Sequence, residues 1–121
     1  MITTFKDLDV YKEALQLSYE IEFLIRVFPA SEKYLLCDQM RRASRGIAPL
    51  IAEGYAKRQS LKVFQKYIRD AIGEANEIMC HLELADRLGH IKRKDFSKEL
   101  IRRYDVLGKK LSNLKDNWKN Y

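Results

Sequence analysis

Arg41, Arg42 and Arg45 crowd into five positions, beside a run of apolar residues, in the segment that spans 39–58. A guanidinium is a planar, permanently charged fork that can hold a carboxylate or a phosphate through two hydrogen bonds at once. Arg41 and Arg45 lie four apart, so on a helix they share a face and can act together. Three uses are open to them: ion pairs with Glu53, Glu74 or Glu77 inside the molecule or across a subunit boundary, direct contact with phosphate, or plain solvation. Inward-facing arginines would need partners, because an unpaired buried charge is costly. Glu53, at the end of the same segment, is the acid expected to share their neighbourhood. Arg41, Arg42, Arg45 and Glu53 are therefore the candidate interface or ion-pair cluster.

A second set could do anion chemistry at longer range. It comprises Arg87, Lys92, Arg93, Lys94, Lys98, Arg102, Arg103, Lys109 and Lys110. The chain carries a net charge of +6, and residues 87–119 hold eleven Lys and Arg against four Asp and Glu. The positive field thus belongs mainly to the C-terminal third, which favours RNA, DNA or an acidic protein partner. A lysine-rich solvated helix is the plainer alternative. Lys94, Lys98 and Arg102 repeat every fourth residue and form one stripe on a helix. Such a stripe can follow a phosphate backbone in a salt-dependent way, without reading sequence. Tyr104 and Trp118 could stack on unpaired bases, although their spacing favours a place in the core.

Other chemistry finds little material. Glu77, Cys80 and His81 share a short stretch with Glu74, but the chain has no Glu-x-x-His, which a four-helix di-metal site requires on two helices. Phosphate-binding glycine loops, a nucleophile elbow and HExxH are all missing. Two histidines leave few candidates for a general base. The expectation is a non-enzyme with no cofactor, no metal and no small-molecule substrate.

Four helical segments must position these groups. The first is expected from about Asp7 to Phe28, with Asp7 or Asp9 favouring its start and Pro29 forbidding its continuation. The second starts near Ser31 and runs to about Tyr55. Its Leu36, Met40, Ala43, Ile47 and Leu50 follow 4-3-4-3 spacing, and Pro49 predicts a kink. The third runs from Ser60 to Gly89, a natural residue for ending a helix. Its seam is Phe64, Ile68, Ala71, Ala75, Ile78, Leu82 and Ala85. The fourth spans about Asp95 to Trp118, with Leu100, Tyr104, Leu107, Leu111 and Leu114. Short breaks between long helices predict an all-α, antiparallel up-down-up-down four-helix bundle, a single domain over 1–121. Tyr19, Phe23 and Val27 fall outside the main stripe of the first helix. That surplus argues for an intersubunit surface.

Cys37 and Cys80 lack disulfide spacing and are expected to be buried free thiols in a reducing cytosol. Neither a signal peptide nor a run long enough to span a membrane is apparent. The location expected is cytoplasmic.

Several short motifs occur in a telling order: Phe5-Lys6-Asp7-Leu8 with Val10-Tyr11-Lys12, Phe28-Pro29 with Glu32 and Tyr34, Gln39 with Arg41-Arg42-Ala43, and Ile51-Ala52-Glu53-Gly54 with Arg58. Phe64, Ala71, Glu74-Ala75 and Glu77 follow. In this order the chain resembles the four-helix-bundle family encoded in intervening sequences of bacterial 23S rRNA genes, which includes the accessory variability determinant of diversity-generating retroelements. The resemblance implies a four-helix bundle, members that form ring-like homopentamers, and, in the retroelement branch, a basic accessory to a reverse transcriptase and nucleic acid. The family's Ser-Ile-x-x-Asn-Ile-Ala-Glu-Gly pattern is altered here: Gly46 replaces Ser and Leu50 replaces Asn. The function these readings support is a basic homo-oligomer that binds RNA or a ribonucleoprotein. A self-assembling or protein-binding adaptor with no nucleic-acid role is the alternative.

Overall fold

The computed structural model describes residues 1–119. Four α-helices follow one another: α1 (Asp9–Ile25), α2 (Leu36–Ala56), α3 (Leu61–Arg87) and α4 (Lys94–Asn117), with short 3₁₀ turns at Phe5–Asp7 and Ala30–Glu32. Each helix packs against the next, so the chain forms an up-down four-helix bundle. The α1–α4 seam that closes it is much the thinnest.

Helix α3 shows why the bundle forms. Phe64, Ile68, Ala71, Ala75, Ile78, Leu82 and Ala85 are all fully buried. Their alternating spacing keeps one stripe turned inward along the whole helix. Burying each large side chain contributes roughly 1.5–3 kcal/mol, and the alanines between them let a neighbour approach. Ser60 caps the start, its hydroxyl accepting the Val63 N–H at 3.3 Å. At the other end Gly89 takes a left-handed φ of 79°. The Gly89 N–H donates to the Asp86 carbonyl and the His90 N–H to the Ala85 carbonyl, both at 3.0 Å. These two bonds are the paired closure of a Schellman turn, and they set where His90 lies.

The partners of α3 follow the same logic with some shifts. In α2, Leu36, Met40, Ala43 and Ile47 are buried as their spacing predicts, but Ile51 rather than Leu50 completes the seam. In α1, Val10, Ala14, Leu17, Ile21, Leu24 and Ile25 face inward. In α4, Leu100, Tyr104, Leu107 and Leu111 do so, and Trp118 packs its ring 4.8 Å from that of Phe64. At Gly54, α2 and α3 approach closely: a Cβ built there would lie 2.9 Å from the Tyr67 Cβ.

Three expectations need correction. Helix α2 begins at Leu36, not Ser31. Residues 29–35 form a reversal in which Glu32 reaches away to His90, and Leu35, with φ −117° and ψ −99°, breaks the helical path so that Leu36 and Cys37 can drop into the core. Helix α1 ends at Ile25, because the last turn before Pro29 tightens to bonds from Val27 to Leu24 and from Phe28 to Ile25. Cys80 is exposed while Cys37 is buried. Cys80 lies two residues from both Ile78 and Leu82, about 200° around the helix from each, so it must face out when they face in. Across the expected kink, α2 runs on through Pro49, which is exposed. Water can there solvate the carbonyl that proline leaves without a donor.

Candidate nucleic-acid interface

The arginine cluster of α2 is a bracket between helices. Arg41 Nε donates to Glu22 of α1 at 3.2 Å, and its Nη1 donates to Asp38 at 3.2 Å. Arg45 Nη2 reaches the same Glu22 oxygen at 2.8 Å. On the other flank Arg42 pairs with Glu77 of α3 and lies 3.6 Å from Glu74. His81 Nε2 lies 3.1 Å from Glu77. Residues 41, 42 and 45 of one helix thus bind acids on both neighbours.

Glu53 is not part of this bracket. It is exposed, and among the described residues no ion pair joins it to the arginines. It lies eight residues beyond Arg45, too far along the helix axis for side chains to meet. Glu22 is the acid that sequence reasoning missed. Its only signal was an acid standing beside the core position Ile21 on the adjacent antiparallel helix, and register cannot be read from that.

Burial makes Glu74 unusual. Desolvation first, then the charge of Glu77, raises its carboxyl above the ordinary range, against the opposing pull of Arg42. Its Oε2 is buried and accepts no hydrogen bond among the described residues. Gly46 lies opposite, where a Cβ would stand 3.4 Å from that oxygen.

The nine C-terminal cations divide into three groups. Arg87, Lys92, Lys94, Lys98 and Lys110 are exposed and enter no ion pair among the described residues. Arg93 and Lys109 are exposed partners of Asp95 and Asp105, at 3.4 Å and 3.0 Å. Arg102 holds Glu99 with two bonds, at 3.0 Å and 2.6 Å, and those bonds pull the Glu99 carboxyl down. Such exposed pairs contribute little stability, so a phosphate can compete for the guanidinium.

Arg103 does not belong to the outer stripe. It turns across the α1–α4 seam and donates to Glu20 at 2.8 Å and to Glu13 at 3.4 Å. Its hydrogen bond holds the Glu20 carboxyl below the usual range. Tyr104 and Trp118 are not exposed stacking platforms. Tyr104 is fully buried, and burial pushes its phenol far up; Trp118 packs on Phe64 and Tyr55.

Folding also gathers what the sequence keeps apart. The α1–α2 and α3–α4 connections meet at one end of the bundle, where His90 Nε2 lies 2.8 Å from Glu32 Oε2 and the His90 ring 5.5 Å from that of Phe28. Arg26 and Lys33 therefore share an end with Arg87, Lys92, Arg93 and Lys94. Among the described residues no group of three or more His, Cys, Asp and Glu side chains is placed to hold a metal ion, and no helix is long and apolar enough to cross a membrane.

Residues 6–113 match the family model described as 23S rRNA-intervening sequence protein. A crystal structure of a protein of unknown function from the S23 ribosomal protein family of Bacteroides thetaiotaomicron superposes with a TM-score of 0.79. It is 23% identical, and the match covers 89% of this chain and 96% of the other. At that identity the likeness concerns the fold. No curated protein matches the chain.

Proposed function

The chain belongs to the 23S rRNA-intervening sequence protein family, and from that premise we propose that it is a non-enzymatic, homo-oligomeric bundle that binds RNA or a ribonucleoprotein through phosphate contacts. It acts as a single domain in the cytoplasm. The observation that carries this reading is a set of cations around the α3–α4 connection and the start of α4, Arg87, Lys92, Lys94 and Lys98, which are exposed and enter no ion pair among the described residues. A solvated helix balanced by its own acids would leave few such groups. The family description names 23S rRNA, which supports an RNA context.

Oligomerisation rests on a different face. Leu15, Tyr19 and Phe23 of α1, with Val27 just past its end, stand every fourth residue and are 52%, 59%, 47% and 75% exposed. The stripe runs into a depression of about 390 Å³ lined by Phe23, Val27, Ile91 and Phe96. A second copy covering this face would remove it from water; a pentamer is the number suggested by the resemblance. The same stripe also favours the alternative, a self-assembling adaptor with no nucleic-acid role.

Light scattering after size exclusion, at low and high salt and with a structured ribosomal RNA fragment, separates the two. The RNA reading expects a salt-resistant oligomer that takes up RNA only at low salt. For about four phosphate contacts, affinity should fall on the order of 10²-fold between about 50 and 200 mM salt. The double variant Lys94→Glu and Lys98→Glu should abolish binding and leave the oligomer intact. An oligomer indifferent to RNA at low salt would favour the adaptor.

A further inference from the structure

We infer that the cleft beneath the α1–α2 connection takes one unpaired nucleotide of an RNA, with the base on the Tyr34 ring and its phosphate against Lys33 and Arg26; this rests on the RNA reading above. The cleft has a volume of about 580 Å³ and runs from Arg26 and Pro29 to Tyr34 and Arg41. Tyr34 is 76% exposed, whereas Tyr104 is buried and Trp118 packs on Phe64. The Lys33 ammonium lies 5.3 Å from the centre of its ring. Arg26 lies over Phe23, 4.6 Å from the ring centre. Neither cation enters an ion pair among the described residues.

The acids nearby are already engaged. Asp38 accepts from Arg41, which is itself held by Glu22. Glu32, adjacent to Lys33 in sequence, is turned to His90 and is 16% exposed. Cys37 is buried and directs its thiol to the Ile25 carbonyl, with Sγ 3.7 Å from the oxygen, so no nucleophile faces an occupant. What remains is an exposed aromatic face and two free cations, the chemistry of a base attached to a phosphate. Base stacking on an aromatic side chain is tolerant of sequence, in keeping with phosphate contacts that read none. An acidic helical peptide would need a groove with anchors over two or more turns. Here the reversal at Pro29 closes one side, and of the two rings that line the cleft only Tyr34 is exposed. Phe28 lines the cleft and also packs on His90, so an RNA lying across Lys92 and Lys94 can send an unpaired base into it.

The test is fluorescence anisotropy at low salt with two labelled RNAs of equal length, a hairpin with an unpaired loop and a blunt duplex. Wild type should bind the hairpin more tightly. Tyr34→Leu should weaken hairpin binding by about tenfold, within the range for one stacked base, and leave duplex binding unchanged; Tyr34→Phe should restore it. Lys33→Gln with Arg26→Gln should lower hairpin binding and its salt dependence together. Since Tyr34 is exposed, circular dichroism of the variants should match wild type. If Tyr34→Leu binds the hairpin like wild type while Lys94→Glu with Lys98→Glu loses both RNAs, the cleft is refuted and the phosphate reading survives. Should neither RNA bind at low salt, both fail. A glutamate-rich peptide bearing an aromatic residue that binds wild type, but not Tyr34→Leu, in the absence of RNA binding would reassign the cleft to an acidic protein.

Discussion

Arg103 of α4 and Glu20 of α1 meet at 2.8 Å across the bundle's thinnest seam. Both side chains are only 22% exposed, so the pair is screened less than a surface bridge. The backbones of these two helices approach closely at fewer places than those of α2 and α3, so a directional ion pair matters more here.

This pair makes stability depend on pH. Arg103 lowers the Glu20 carboxyl below its unfolded value of 4.5. A depressed carboxyl contributes stability that is present above the unfolded value and lost as pH falls through the folded one. Glu20→Gln should therefore cost about 1–2 kcal/mol at pH 7, between exposed and fully buried pairs. The difference from wild type should shrink as the pH falls below 4.5 and vanish in acid below the folded value. Urea denaturation at both pH values checks it; an equal loss at both would mean that packing, not charge, joins the helices.

At the α2–α3 contact the limit is steric. A Cβ at Gly54 would lie 2.9 Å from the Tyr67 Cβ, an atom held close to its own backbone. Gly54→Ala gains about 1 kcal/mol of helix propensity but must push the helices apart, a strain of roughly 1–3 kcal/mol. The net expectation is a lower melting temperature. Gly73→Ala, where nothing lies within 4 Å of the added Cβ, should raise it.

Gly46 offers the opposite case. The buried Glu74 Oε2 lacks a hydrogen bond among the described residues. Gly46→Ser places a hydroxyl donor beside that oxygen and should stabilise the fold by about 1–2 kcal/mol through propensity and the new bond. Gly46→Ala supplies the propensity alone. Alanine is the better helix former, so if Ala stabilises clearly more than Ser in thermal melts, the hydroxyl is not reaching the carboxylate.

The α1 stripe predicts that Tyr19→Glu with Phe23→Glu yields a monomer of unchanged helix content. Their rings stack edge to face 4.9 Å apart and are about half exposed, so the isolated fold has little need of them. Sedimentation before and after substitution decides the matter: a wild-type monomer, or a variant oligomer, removes the proposed self-association.

The helices were legible because their information is local. Seven buried residues of α3, its Ser60 cap and its Gly89 ending follow from spacing and backbone preference alone. Spacing likewise put Tyr104 in the core rather than on the surface. The opposed faces of one helix are set by its 3.6-residue turn, which no neighbour can alter. Only the tertiary structure decided who pairs with whom. Antiparallel register brought Glu22 rather than Glu53 to the arginines, and the rotation of α4 turned Arg103 inward while Arg102, one residue before it, stayed outside. Packing likewise joined Glu32 to His90 and so gathered Arg26 and Lys33 with the cations of α4. Charge partners between helices depend on relative translation and rotation of whole elements, to which apolar spacing is nearly blind. The sequence therefore determined the four helices and their inner faces, and the fold determined which of its charges remain open to an anion.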